Sequence, residues 1–80
     1  MAKYRKKPVI VDAIEYTGSN TKELSDFTGQ NISAIDSGEI FIRSKKGIQY
    51  AKPGDFIIKD INGTPYPCPR DVFLQTYEPA

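Results

Sequence analysis

Pro53-Gly54-Asp55-Phe56-Ile57-Ile58, followed by Asn62-Gly63-Thr64-Pro65-Tyr66-Pro67-Cys68, is the stretch whose reading decides the fold. Pro53-Gly54 turns the chain into a strand over Asp55 to Lys59. Asn62-Gly63 is the strongest two-residue hairpin signal in the chain. Pro65 and Pro67 lack a ladder donor, so the Tyr66 segment belongs at a sheet edge or just outside it. Nearly every residue here has an architectural job, and none is an obvious reaction centre.

Working upstream, residues 8 to 17 read as a strand, because Val9, Ile10, Val11, Ile14, Tyr16 and Thr17 are β-formers without helical spacing. Both of its faces are partly apolar, which predicts a central position with cover on each side. Gly18 ends it. A helix over about 20–28 follows, with Asn20 as N-cap, Glu23 reaching back in a capping box, Leu24 and Phe27 on one face, and Gly29 as the stop. Ile32 to Ile35 reads as a short strand before the turn at Asp36-Ser37-Gly38. Glu39 to Arg43 and Gly47 to Ala51 form two more strands joined by Ser44-Lys45-Lys46-Gly47, where Gly47 can take the positive φ of a tight hairpin. Pro69 suits the start of a helical turn over about 69–74, and Gln75 to Glu78 reads as a final strand. The sum is a single α+β domain over residues 1–80, with a curved, mainly antiparallel β-sheet, one short helix and a C-terminal helical turn.

Composition narrows the chemistry. A chain of 80 residues hides only about 60% of its unfolded surface, and so small a core favours homo-oligomers. Cys68 is the single cysteine, so an intramolecular disulfide is impossible. There is no histidine, which removes the usual general base and the commonest metal ligand. One thiol cannot build a zinc site. No enzyme, metal or cofactor is therefore expected. Eleven basic residues nearly balance ten acidic ones, unlike a dedicated nucleic-acid protein. The basic start is followed by Pro8-Val9-Ile10-Val11, which Asp12 cuts too short for a signal core or membrane span. A soluble, cytoplasmic protein is expected.

Tyr4-Arg5-Lys6-Lys7-Pro8-Val9 with Glu15-Tyr16-Thr17-Gly18 resembles the opening of a family of small tailed-phage and prophage proteins. The likeness continues through Lys52-Pro53-Gly54-Asp55-Phe56-Ile57-Ile58 and Gly63-Thr64-Pro65-Tyr66-Pro67-Cys68, and closes with Phe73 and Thr76-Tyr77-Glu78-Pro79. Residues from about Ser19 to Gln49 are not part of it. The resemblance implies a setting, a phage accessory protein in the cytoplasm of an infected bacterium, and no particular activity. Counter-defence by capturing a host nucleotide messenger is one use phages make of such small proteins.

The candidate site residues are basic and aromatic. Tyr4, Arg5 and Lys7 form an N-terminal cluster able to hold phosphates and stack a base, or to keep a strand entrance solvated. Arg43, with Lys45 and Lys46, sits at a hairpin tip as a second phosphate patch or simply a soluble turn. Asp55 reads as a turn aspartate, and Asp12 and Glu15 point to opposite faces of a regular strand. In Tyr66-Pro67-Cys68-Pro69 the prolines fix the backbone, with Cys68 read as a small packed residue. The leading expectation is a non-enzymatic binder of a small nucleotide-like anion. Arg5, Lys7, Arg43 or Arg70 would hold phosphates, and Tyr4, Tyr16, Tyr50 or Tyr66 would stack bases. The alternatives are a protein-interaction module using a sheet edge near Tyr66, or weak nucleic-acid binding through the basic N-terminus.

Overall fold

The apolar run Phe56-Ile57-Ile58 forms the middle strand of a three-stranded antiparallel sheet in the computed structural model, which describes residues 2–3 and 10–79. The elements in chain order are β1 (Asp12–Glu15), α1 (Thr21–Thr28), β2 (Ile40–Ser44), β3 (Gly47–Ala51), β4 (Phe56–Lys59), β5 (Pro65–Cys68) and α2 (Arg70–Thr76). The α+β class and the antiparallel pairing are as expected. The strands are shared between two sheets, one ordered β1-β4-β5 and the other the β2-β3 hairpin.

β1 was expected at the centre and is instead an outer strand, paired through Ile14 opposite Ile57; β4 takes the middle. Apolar residues on both faces of a strand report what those faces touch, not how many edges are paired. Ile14 packs against the core, while Val11 and Ala13 line an open groove on the other side. Pro8 and Val9 lie outside the described residues.

Asn20 precedes α1, but the capping box does not form, because the Asn20 side chain is already engaged with β1. Its Oδ1 accepts the Thr17 N–H at 2.8 Å, and its Nδ2 donates to the Glu15 carbonyl at 2.8 Å. Glu23 therefore meets that same amide group, at 2.9 Å, instead of a backbone N–H. The result is a clamp between the end of β1 and the start of α1. Gly29 ends the helix as expected.

Both hairpins use glycine just after the turn. In β2–β3, Lys45 and Lys46 form the tip, Gly47 takes φ +102°, and the Ser44 hydroxyl accepts the Lys46 N–H. In β4–β5 the Asn62-Gly63 pair is not a two-residue turn. The Gly63 N–H bonds the Asp60 carbonyl and the Asp60 N–H bonds the Thr64 carbonyl, making a three-residue loop with Gly63 at φ +78°. The Asp60 carboxylate secures this loop by accepting the Asn62 and Thr64 N–H groups, a competing turn chemistry that sets the longer loop.

Two expected strands are absent among the described residues. Ile32 to Ile35 contributes only a bridge between Ala34 and Ile40. Gln75 and Thr76 belong to α2, and the Tyr77 N–H still bonds the Phe73 carbonyl, so the chain leaves the helix too late for a strand ending at Glu78. β5 lies at the sheet edge, as Pro65 and Pro67 require.

The core sits on one face of the β1-β4-β5 sheet. Tyr16, Leu24, Ile32, Ile40, Ile42, Ala51 and Ile57 bury together there, with Ile14 and Phe27 against them. On the opposite face, Phe56 stacks on Phe73 of α2, ring centroids 3.9 Å apart, and Phe73 continues to Tyr77 at 5.1 Å. Alternation along β4 separates the two, since Ile57 points one way and Phe56 the other. Beside the hairpin, the Gln30 amide donates to the Arg43 carbonyl at 2.8 Å and accepts the Arg43 N–H at 3.0 Å.

Candidate functional site

The β2–β3 hairpin divides its residues by strand alternation. Ile40, Ile42 and Ala51 turn into the core; Phe41, Arg43, Ile48 and Tyr50 turn out. The register sets Phe41 opposite Tyr50 and Arg43 opposite Ile48. The two rings meet at 4.8 Å between centroids, tilted 55°, and both remain accessible: Phe41 is 42% exposed and Tyr50 63%. Arg43 and Tyr50 are diagonal neighbours, a separation of roughly 7–8 Å in a ladder. Gln30 holds the backbone beneath Arg43. This outward face therefore places two aromatic rings, an aliphatic side chain and a guanidinium side by side.

At the hairpin tip a cleft of about 290 Å³ opens between the β2–β3 turn and the β4–β5 loop, lined among others by Lys45, Lys46, Gln49, Asp60, Thr64 and Tyr66. Lys45 is paired with Asp60 at 3.3 Å. The Thr64 N–H holds the Asp60 carboxyl below the ordinary carboxylate range, against an opposing effect of desolvation and with further help from the Asn62 N–H and Lys45. Burial and a hydrogen bond with Tyr77 push the Tyr66 phenol up to about 12. Tyr66 therefore keeps its hydroxyl proton at neutral pH and engages Tyr77, which belongs to the α2 side and does not line this cleft.

The remaining candidates disperse. Tyr16 is 0% exposed, and its hydroxyl donates to the Gly38 carbonyl at 2.7 Å; it is a core residue with no ring face for a base. Arg70 lies on the α2 side, paired with Glu15 at 2.9 Å and near the Phe56 ring. Tyr4, Arg5 and Lys7 lie outside the described residues, as does any approach of Arg5 to Arg43 and the N-terminal nucleic-acid route. Among the described candidates, only Arg43 and Tyr50 share a surface, with Tyr66 round the hairpin tip. Phe41 was missed, although the spacing Phe41-x-Arg43 already puts the two on one strand face.

Other groups with chemical potential are engaged. Asp55 is buried, and its carboxylate accepts the Lys52 N–H at 3.0 Å, the turn role expected of it. Burial pushes the Cys68 thiol up, reinforced by the carboxylates of Asp55 and Asp71, so it is a thiol at neutral pH. Among the described residues no cluster of three or more cysteine or carboxylate side chains is placed to hold a metal ion. No helix among them is long and apolar enough to cross a membrane. Compared with family models, curated proteins and solved structures, the chain matches none.

Proposed function

We propose that this protein is a non-enzymatic accessory protein that binds a small nucleotide-like anion on the outward face of β2–β3. The observation that supports it is the shared surface of Arg43, Phe41 and Tyr50. A base stacked on an aromatic side chain contributes about 1–3 kcal/mol, and every base has a π-face to offer. The Arg43 fork matches phosphate oxygens. The family resemblance supplies the setting: a phage protein that sequesters a host nucleotide immune signal in the cytoplasm of the infected cell, with copies associating because each core is small.

The chain has five tyrosines and no tryptophan, so tyrosine fluorescence reads out binding directly. Titration with a panel of mono- and cyclic nucleotides is expected to yield at least one saturable quench. Tyr50→Ala and Arg43→Ala should each weaken it about tenfold or more. If the folded wild-type protein responds to none of the panel, nucleotide capture on this face is excluded.

A second reading, a protein-interaction module, is favoured by the apolar groove beside α2. It has a volume of about 550 Å³, and Ile10, Val11, Phe73, Leu74 and Tyr77 are among its walls. The edge near Tyr66 suits a partner strand less well, because Pro65 and Pro67 lack donors and the β2–β3 hairpin packs against β5. Loss of a stoichiometric partner from Leu74→Lys pull-downs, with Tyr50→Ala pull-downs intact, would favour this second reading.

A further inference from the structure

The outward face of β2–β3 is open, with the Phe41 and Tyr50 rings tilted 55° to each other. A single base stacked on Tyr50 beside Phe41 leaves its sugar and its other side in water, so a mononucleotide has few contacts to make. The cleft at the hairpin tip is about 290 Å³, at the lower edge of the roughly 300–1,000 Å³ usual for ligand pockets. It has room for a base or a phosphate with its sugar and not for more. Neither surface alone accommodates a larger ligand, yet one hairpin builds both. Phe41, Arg43 and Tyr50 are on its face, and Lys46 and Gln49 line the cleft.

From Tyr50 back to Lys46 is four residues along β3 and into the turn, on the order of 13 Å at the strand rise. A base already stacked on Tyr50 does not reach that far through its own 5′-phosphate. Charge follows the same path. Arg43 lies between the aromatic pair and the tip. Lys45 is committed to Asp60, whose carboxylate is also held by two backbone N–H groups. Lys46 and Arg43 are therefore the cations placed for two successive phosphates, with the Gln49 amide as a polar partner inside the cleft.

Resting on the nucleotide-binding reading above, we propose that the ligand is a dinucleotide unit, two nucleotides joined by a phosphodiester. Its first base stacks on Tyr50 with Phe41 against its edge, its linking phosphate meets Arg43, and its second nucleotide turns round the tip at Lys46 into the cleft beside Tyr66.

The test is calorimetric titration at one fixed salt concentration with 5′-AMP and 5′-GMP against the linear 5′-phosphorylated dinucleotides pApA and pGpG. The dinucleotide of the preferred base is expected to bind at least about tenfold more tightly than its mononucleotide, the equivalent of one further base contact. Lys46→Ala, an exposed turn substitution, should abolish that advantage, whereas Tyr50→Ala weakens both ligand lengths. Equal affinities for the two ligand lengths, or a dinucleotide advantage that survives Lys46→Ala, would overturn the proposal while leaving binding on the face standing. Binding of neither ligand length would remove the nucleotide-binding reading and this extension of it together.

Discussion

The two faces of the β1-β4-β5 sheet are built on different principles. One is aliphatic and closed: Ile57, Ile40, Ile42 and Leu24 are each fully buried, and α1 and the β2–β3 hairpin cover them. The other also buries an aliphatic, Ile58, but is otherwise aromatic and more open: Phe56, Phe73 and Tyr77 stack in a row, α2 has no buried residue, and a groove remains beside it. Aliphatic side chains that interdigitate exclude water and resist local opening, whereas one stacked helix can lift off without disturbing the rest. Stability belongs to the first face and adjustability to the second.

The strongest way to break this contrast is Ile57→Ala. Truncating a fully buried isoleucine costs about 2–5 kcal/mol, a large part of what so small a domain has. Urea unfolding should show a collapsed or absent transition, and a change under about 0.5 kcal/mol would contradict the placement of the core. Phe73→Ala should cost less, about 1–2 kcal/mol, since it removes a half-buried ring and its stacking. Its signature is local. Amide exchange should accelerate in α2 while β4 stays protected, and Cys68, opposite Phe56 in the register, should react faster with thiol reagents. Exchange rising equally in both elements would mean the two faces unfold as one.

Tyr16→Phe probes the closed face more gently. It keeps the ring and removes the donor to the Gly38 carbonyl, an expected loss of about 1 kcal/mol with no change in thiol reactivity. The smallest effect is alkaline. Tyr66 has a folded value raised from 10.0 to about 12, so its contribution is complete below pH 10 and is lost as pH rises through 12. Phenolate absorbance should show a late-titrating component that shrinks by one tyrosine in Tyr66→Phe. Exchange in α2 should rise over that window before β4 responds. If every tyrosine ionises together near 10, the Tyr66–Tyr77 link is absent.

How legible these features are in the chain depends on whether the signal is local. Leu24 and Phe27 at helical spacing with Gly29 behind them identify α1, and Ser44 to Gly47 identifies a hairpin, because each pattern is complete within a few residues. The rank of β1 in the sheet is not local. Its two-sided apolar character is shared by any strand lying over one layer and under another, and pairing with β4 involves a partner more than forty residues away. Much the same holds for the site. Tyr16 and Tyr50 both end short β-forming runs, and only the packing of β1 over the core distinguishes the ring that is hidden from the ring that is offered. Ile40-Phe41-Ile42 is apolar at three consecutive positions, so the outward aromatic becomes evident only once Ile40 and Ile42 are seen to face Leu24 and Ile57. Arg70 looked like a phosphate ligand because its partner Glu15 is distant in sequence.

Gln30 has a consequence for how molecules of this protein treat one another. A side-chain amide carries both donor and acceptor, as a backbone unit does, and Gln30 offers one of each to Arg43 as a neighbouring strand would. With Ala34 bridging Ile40 further along, the outer side of β2 is occupied at two points by segments too short to extend a ladder. A two-stranded ribbon with exposed Phe41, Ile48 and Tyr50 is otherwise a ready template for stacking copy upon copy into fibrils. On the β2 side, Gln30 fills the place a strand from another copy would take.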